Sequence, residues 1–276
     1  MTAMHDARAT RGLSEYALAR RSFATELRVR GPSIQPARVE ALPEGTQLLM
    51  VRSGELSLRA HLDADVPQTG PRVADPRPAV LFLHGMFAFT AEAAAQAQRF
   101  RDAGLVTMTL VLRGENGQPG AFSLYYDEVD DVLAAAEALS TIPVVDPSRV
   151  MIAGHSAGGV LALLAAAASD RFAKVASFSA WPDQRAVVEY YPHYAVFDRE
   201  DNRELSMRSP VDFMGSIRAP LRMFYGRLER ELAPLAREAA DRARREGVDA
   251  SLIEVDGDHF SSVKPAIEKV IPWFIE

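Results

Sequence analysis

The sequence predicts an α/β fold: a mostly parallel, doubly wound sheet with an antiparallel hairpin at its start. Three observations carry this. From about residue 79 onward, short apolar runs alternate with helical stretches, as parallel strands joined by crossover helices require. The run 79–83, Ala-Val-Leu-Phe-Leu, is apolar at every position, which suits a strand covered on both faces. Residues 150–159 read Val-Met-Ile-Ala-Gly-His-Ser-Ala-Gly-Gly, a buried strand passing through Gly-x-Ser-x-Gly into a small-residue helix. At 276 residues and 48% hydrophobic, the chain is long enough to bury one large core.

Composition narrows the function classes. The formal net charge is −6 and there is no long basic run, so neither nucleic acid nor an anionic membrane surface is an expected partner. There is no cysteine, which excludes disulfides, thiol catalysis and thiolate-bound metals. No apolar run approaches the roughly 20 residues of a membrane span. The start of the chain has no apolar core of the kind a secretory signal needs. A cytoplasmic protein is the expectation.

Residues 1–45 read as a helical extension. Arg8, Arg11, Arg20, Arg21, Arg28 and Arg30 stand among alanines with few acids. Leu13, Tyr16, Phe23 and Leu27 fall on one face of an amphipathic helix. Such a helix packs on the domain, flanks the substrate site or pairs two subunits; the sequence leaves the three open, and with them a homo-oligomer. The domain proper is expected over 46–276. Strands over 46–51 and 55–62 flank Ser53-Gly54, a hairpin signal. A Pro-rich loop leads to the strand at 79–83. Thr90 is placed to cap a helix that stops at Gly104. A strand over 106–112, a glycine-rich turn over 113–120 and a helix over 127–139 follow. After the Gly-x-Ser-x-Gly helix come strands at 175–178, 221–225 and 251–255. A charged helix ending at Gly247 separates the last two. The final helix runs through Val263, Ile267, Val270 and Ile271 to Trp273.

One connection is too long for this scheme. About 40 residues, roughly 180–219, join two strands, and connections of that length are commonly functional. They are rich in aromatics. They are expected to form a lid, with Trp181, Tyr190 and Tyr191, and Phe87 from an earlier loop, as substrate contacts.

The chemistry centres on Ser156. A serine on a sharp strand-to-helix turn is held above the sheet, with Gly154 and Gly158 leaving room for the close approach. Among the six histidines, His5 lies near the chain start, His61 in the hairpin, His84 and His155 inside tight motif turns, and His193 in the insertion. His259 follows the last strand in Gly257-Asp258-His259-Phe260. The loops at the carboxyl ends of parallel strands meet over one edge, so His259 is the expected base. Glu229 and Asp183 both keep the order Ser, acid, His and both are candidates to hold the imidazole. The Met86 amide, in His84-Gly85-Met86-Phe87, and the Ala157 amide, opening the helix, are the expected oxyanion donors. No ligand spacing such as H-E-x-x-H occurs, so no metal and no cofactor are expected.

These motifs resemble the α/β-hydrolase superfamily, and within it the prolyl-oligopeptidase-type and dienelactone-hydrolase-type catalytic domains. The likeness is carried by Leu83-His84-Gly85, Arg113-Gly114 with Gly117 and Pro119-Gly120, and Asp146-Pro147-Ser148-Arg149-Val150. Gly154-His155-Ser156-Ala157-Gly158-Gly159, Ser209-Pro210, Ala219-Pro220 with Tyr225-Gly226, and Gly257-Asp258-His259-Phe260 complete it. The resemblance implies an acid three residues after the glycine that closes the penultimate strand. That position is Glu229, where the family usually carries Asp. The stretch before residue 78 is too short for the β-propeller of the oligopeptidases, which lowers the weight of a peptidase. The expected activity is hydrolysis of a small-molecule carboxylic ester through an acyl-enzyme. The alternatives are a peptidase or amidase, an acyltransferase or thioesterase, and a non-catalytic binder on the same fold.

Overall fold

A computed structural model describes residues 12–35 and 41–276. Residues 1–11 and 36–40 lie outside the described residues, and with them part of the expected N-terminal helical extension. The first helix, α1 (Glu15–Arg21), is only seven residues long. Ser14 caps it by accepting from the Ala17 N–H, and Ser22 closes it. The expected helical face extending to Phe23 and Leu27 is therefore corrected. Thr25 Oγ1 and the Glu26 N–H both donate to the Glu204 carboxylate, at 2.8 and 2.7 Å, and Leu27 forms an isolated bridge with Phe197. Those long-range partners draw the chain out of helix.

The sheet has eight strands in the order β1-β2-β4-β3-β5-β6-β7-β8. They are β1 (Thr46–Ser53), β2 (Leu56–Asp63), β3 (Arg77–Leu83), β4 (Val106–Leu110), β5 (Val145–His155), β6 (Val175–Phe178), β7 (Leu221–Gly226) and β8 (Ala250–Val255). β1 and β2 form the antiparallel hairpin, and β2 joins β4 antiparallel. All pairs from β4 to β8 are parallel. This is the α/β-hydrolase fold. Side chains alternate across the central strands, and both faces are covered. Val80 and Phe82 of β3 with Met151 and Ala153 of β5 pack under α2 (Ala91–Asp102) and α8 (Val263–Ile275). Leu81 and Leu83 with Val150 and Ile152 face α3 (Glu128–Thr141) and α4 (Ala157–Ala168). α7 (Leu232–Arg245) completes that layer through Ala239, Ala240 and Ala243. The apolar runs 79–83 of β3 and 150–153 of β5 are thus buried against apolar side chains on both faces of the sheet.

The insertion between β6 and β7 folds into α5 (Gln184–Tyr190), α6 (Asn202–Ser206) and two 3-10 turns, Pro192–Tyr194 and Pro210–Ser216. The N-terminal segment is stitched to it. Tyr16 is fully buried, donates from Oη to the Met207 carbonyl at 2.8 Å, and its N–H donates to Ser216 Oγ at 3.2 Å. Of the three roles open for this segment, the contacts show the packing one. No helix among the described residues is long and apolar enough to cross a membrane.

Candidate active site

Ser156 sits between β5 and α4 with φ 50° and ψ −114°, a strained backbone that must be held from outside. Its N–H donates to the Phe178 carbonyl of β6 at 2.8 Å, and its carbonyl accepts from Val160 at 3.0 Å. The two motif glycines permit the turn by absence of side chain. A Cβ on Gly154 would lie 2.2 Å from the Gly158 oxygen, and one on Gly158 would lie 2.3 Å from the Leu83 oxygen.

Three side chains from three strand ends meet there. His259 Nε2 lies 2.9 Å from Ser156 Oγ, and His259 Nδ1 lies 2.8 Å from Glu229 Oε1. A carboxylate only accepts, so Nδ1 carries the proton and Nε2 is free to accept from the serine hydroxyl. The second carboxylate oxygen, Glu229 Oε2, accepts from Ser179 Oγ and from the Gly226 N–H, each at 2.6 Å. Burial alone would raise this carboxyl. The bonds from His259, Ser179 and Gly226 outweigh it and hold the group below the ordinary glutamate range. Ser179, at φ 49°, also lies 3.1 Å from the buried Ser262 hydroxyl. Sequence reasoning missed Ser179, although it stands at the carboxyl end of β6, the same kind of position that singles out Ser156 and His259.

Asp183, the alternative acid, is placed elsewhere. Its carboxylate caps α5 by accepting from the Arg185 N–H and pairs with Arg185 Nη1, both at 3.0 Å. His259 Nδ1 is turned to Glu229 instead.

The histidine of the motif, His155, does a different job. Its Nε2–H donates to the His259 carbonyl at 2.8 Å, and the two rings lie 5.0 Å apart. Burial first, and the neighbouring His259 second, push His155 down to about 4, so it is neutral near pH 7. A Cβ on Gly85 would fall 2.5 Å from His155 Nδ1. The turn before Met86 therefore packs on the ring that holds the His259 loop.

Met86 adopts φ 64° and lines the cleft beside Ser156 and Ala157. The Ala157 amide is the first of α4, where helical geometry offers it no intrahelical acceptor. Behind this loop lies a buried pair, His84 Nε2 and Glu115 Oε2, 3.1 Å apart. Burial opposes the imidazolium, but Glu115 overrides it and His84 is raised. The next residue, Phe87, is tied to the N-terminal segment through Ser33 Oγ, which donates to its carbonyl at 2.7 Å.

Above these groups opens a cleft of about 700 Å³. The expected contacts Phe87, Trp181 and Tyr191 line it, and Tyr194 stacks on Tyr191 at 5.1 Å. Tyr190 does not line it: the residue is 57% exposed and its ring makes an edge-on contact with that of Trp181. A helical turn separates the outward Tyr190 from the wall formed by Gln184 and Val187. Sequence reasoning missed Tyr125, Gln184, Leu228 and Phe260 in the lining. Tyr125 is buried and, with Leu124, has positive φ; no local signal announces such a turn in a tyrosine. Among the described residues, no cluster of three or more His, Asp or Glu side chains is placed to hold a metal ion.

A model of the prolyl oligopeptidase family matches residues 92–225. The matched span includes Ser156 and ends before Glu229 and His259. No curated protein matches the chain at a significant level. Among solved structures, the chain is similar to Pyrococcus horikoshii acylaminoacyl peptidase, with 18% identity and TM-score 0.64, covering 83% of this chain and 40% of that one. It is also similar to a Mycobacterium tuberculosis puromycin-hydrolysing peptidase, at 18% identity and TM-score 0.70, covering 83% and 38%. A 2,6-dihydroxy-pseudo-oxynicotine hydrolase gives 18% identity and TM-score 0.65, covering 83% and 67%. The chain spans about two fifths of the length of the two peptidases.

Proposed function

We propose that this chain, an α/β-hydrolase, is a serine hydrolase that cleaves an acyl bond in a small substrate bearing an aromatic or apolar group. The observation that carries the reading is the hydrogen-bonded chain Ser156, His259, Glu229 opening into an aromatic cleft. Ser156 Oγ attacks the carbonyl as His259 Nε2 takes its proton. Glu229 holds the imidazole in the tautomer that accepts this proton and stabilises the imidazolium. The Met86 and Ala157 amides take the oxyanion. The imidazolium protonates the leaving group, and water then repeats the cycle to release the acid.

The favoured bond is a peptide or other amide, because the family model and two of the three neighbours named above are of peptidase type. A carboxylic ester is the second reading. Of the three neighbours named above, the one nearest in length to this chain is named for a small molecule, not a peptide, and a triad of this kind cleaves the intrinsically easier ester. Turnover of an aryl ester and the anilide of the same acyl group separates the two: hydrolysis of the ester alone assigns an ester hydrolase. Ser156→Ala is expected to reduce turnover by about 10⁶ and to abolish labelling by a fluorophosphonate. Activity near that of the unmodified protein, or labelling that survives, removes Ser156 as nucleophile.

A further inference from the structure

Gln184 opens α5 and lines the cleft, yet it is fully buried. Its backbone N–H donates to Ser209 Oγ at 2.9 Å, and its Nε2 donates to the Trp181 carbonyl at 2.8 Å. Its Oε1 has no partner among the described residues. The Nε2 bond settles which end of the amide is which. Turning the amide over would set Oε1 against the Trp181 carbonyl oxygen, acceptor against acceptor. The molecule therefore keeps a covered, unpartnered acceptor on a residue of its cleft lining, whereas most buried polar atoms in proteins are paired.

An acceptor with no hydrogen to offer selects for donors. The lining it belongs to includes the apolar and aromatic side chains Trp181, Val187, Tyr191 and Phe87, and the charged Arg230, Glu231 and Asp258. Oε1 is covered from bulk water, so the donor must come from a group seated in the cleft and must turn a neighbouring side chain aside to reach it. We infer that Gln184 is a specificity-determining residue, and that the cleft selects an aromatic group bearing a hydroxyl or amino donor over the same group without one. A purely apolar wall has the opposite or no preference, because it gains nothing from an added hydroxyl. A site built to bond a donor strongly disfavours the analogue that lacks it.

This inference deepens the serine-hydrolase reading and rests on it for the role of the cleft, so its test reads binding and not turnover. The Ser156→Ala protein is titrated calorimetrically with 3-phenylpropanamide and with analogues carrying a hydroxyl or amino group at the 2-, 3- or 4-position of the ring. At least one donor-bearing analogue is expected to bind about tenfold tighter than the parent or better. In Ser156→Ala/Gln184→Met, that preference is expected to vanish or reverse, because the thioether presents no comparable acceptor. The inference is overturned if no analogue exceeds the parent in Ser156→Ala, or if the preference survives unchanged in the Gln184→Met background. Should the double variant fail to fold, the ranking in Ser156→Ala decides alone. Fluorophosphonate labelling of the unmodified protein reports separately on the nucleophile, so failure of one reading is distinct from failure of the other.

Discussion

Glu229 is the residue on which the geometry of the proposed triad turns. Its extra methylene, relative to the aspartate that the sequence resemblance implies at this position, is constrained at both ends of the carboxylate. One oxygen faces His259 and the other is clamped by Ser179 and the Gly226 amide. Glu229→Gln replaces an acceptor with a donor at one of these positions and favours the wrong imidazole tautomer, so kcat/KM is expected to fall by orders of magnitude, up to about 10⁴. Asp183→Asn removes only a charge that caps α5 and pairs with Arg185, and is expected to change kcat/KM little. Steady-state rates on one substrate for both variants check this, and the reverse ranking would move the acid to Asp183. At this scale the sequence was informative wherever a residue follows a strand within a local motif, as Ser156, Glu229 and His259 do. Gln184 and Tyr125 were not legible, because lining a cleft depends on which distant segment folds over it.

At the scale of elements, two glycines show two separable reasons for the residue, one in the β5–α4 turn and one after α7. Gly158 is required by space: a Cβ there would meet the Leu83 and His84 oxygens at 2.3 and 2.5 Å, and backbone cannot step aside as a flexible side chain can. Gly247, after α7, is required by conformation alone, with φ 85° and nothing within 4 Å of an added Cβ. Gly158→Ala is therefore expected to cost about 3 kcal/mol or more, because α4 must move off β3. Gly247→Ala is expected to cost about 1 kcal/mol. Urea unfolding of the two variants measures the difference, and equal costs would mean that the close approach of α4 to β3 is not rigid. Gly247 and the Thr90 cap of α2, which accepts from the Ala93 N–H, were legible because their causes lie within a few residues. The length of α1 was not. Its stop is enforced by Glu204 and Phe197, about 180 and 170 residues away along the chain, which no periodicity in residues 13–27 reports.

Across the whole molecule, buried titratable groups set how stability depends on pH. His155 and His61 are both pushed down to about 4, by burial first and then by neighbouring positive charge. In the unfolded chain they return to the ordinary value near 6.5. Between pH 6.5 and about 4 the unfolded state then binds more protons than the native state, so the stability they protect is complete above 6.5 and is lost as pH falls through that window. Glu128 acts with the opposite sign. It is fully enclosed in the core, and burial raises it to about 7 despite the bonds from Ser123. Its contribution is complete below the ordinary glutamate value and is lost as pH rises to about 7. Two histidines outweigh one carboxyl over the shared window, so their combined effect is stability that rises from pH 4.5 to 6.5. The unfolding midpoint in urea, followed from pH 4.5 to 8, tests the sum, and variants separate its parts. His155→Gln keeps a donor for the His259 carbonyl and is expected to flatten the acid side. Glu128→Gln keeps the shape of the side chain without the charge and is expected to raise stability at pH 8 relative to pH 5. An acid side as steep in His155→Gln as in the unmodified protein would show that the neutral, buried ring is not what links the folded site to pH.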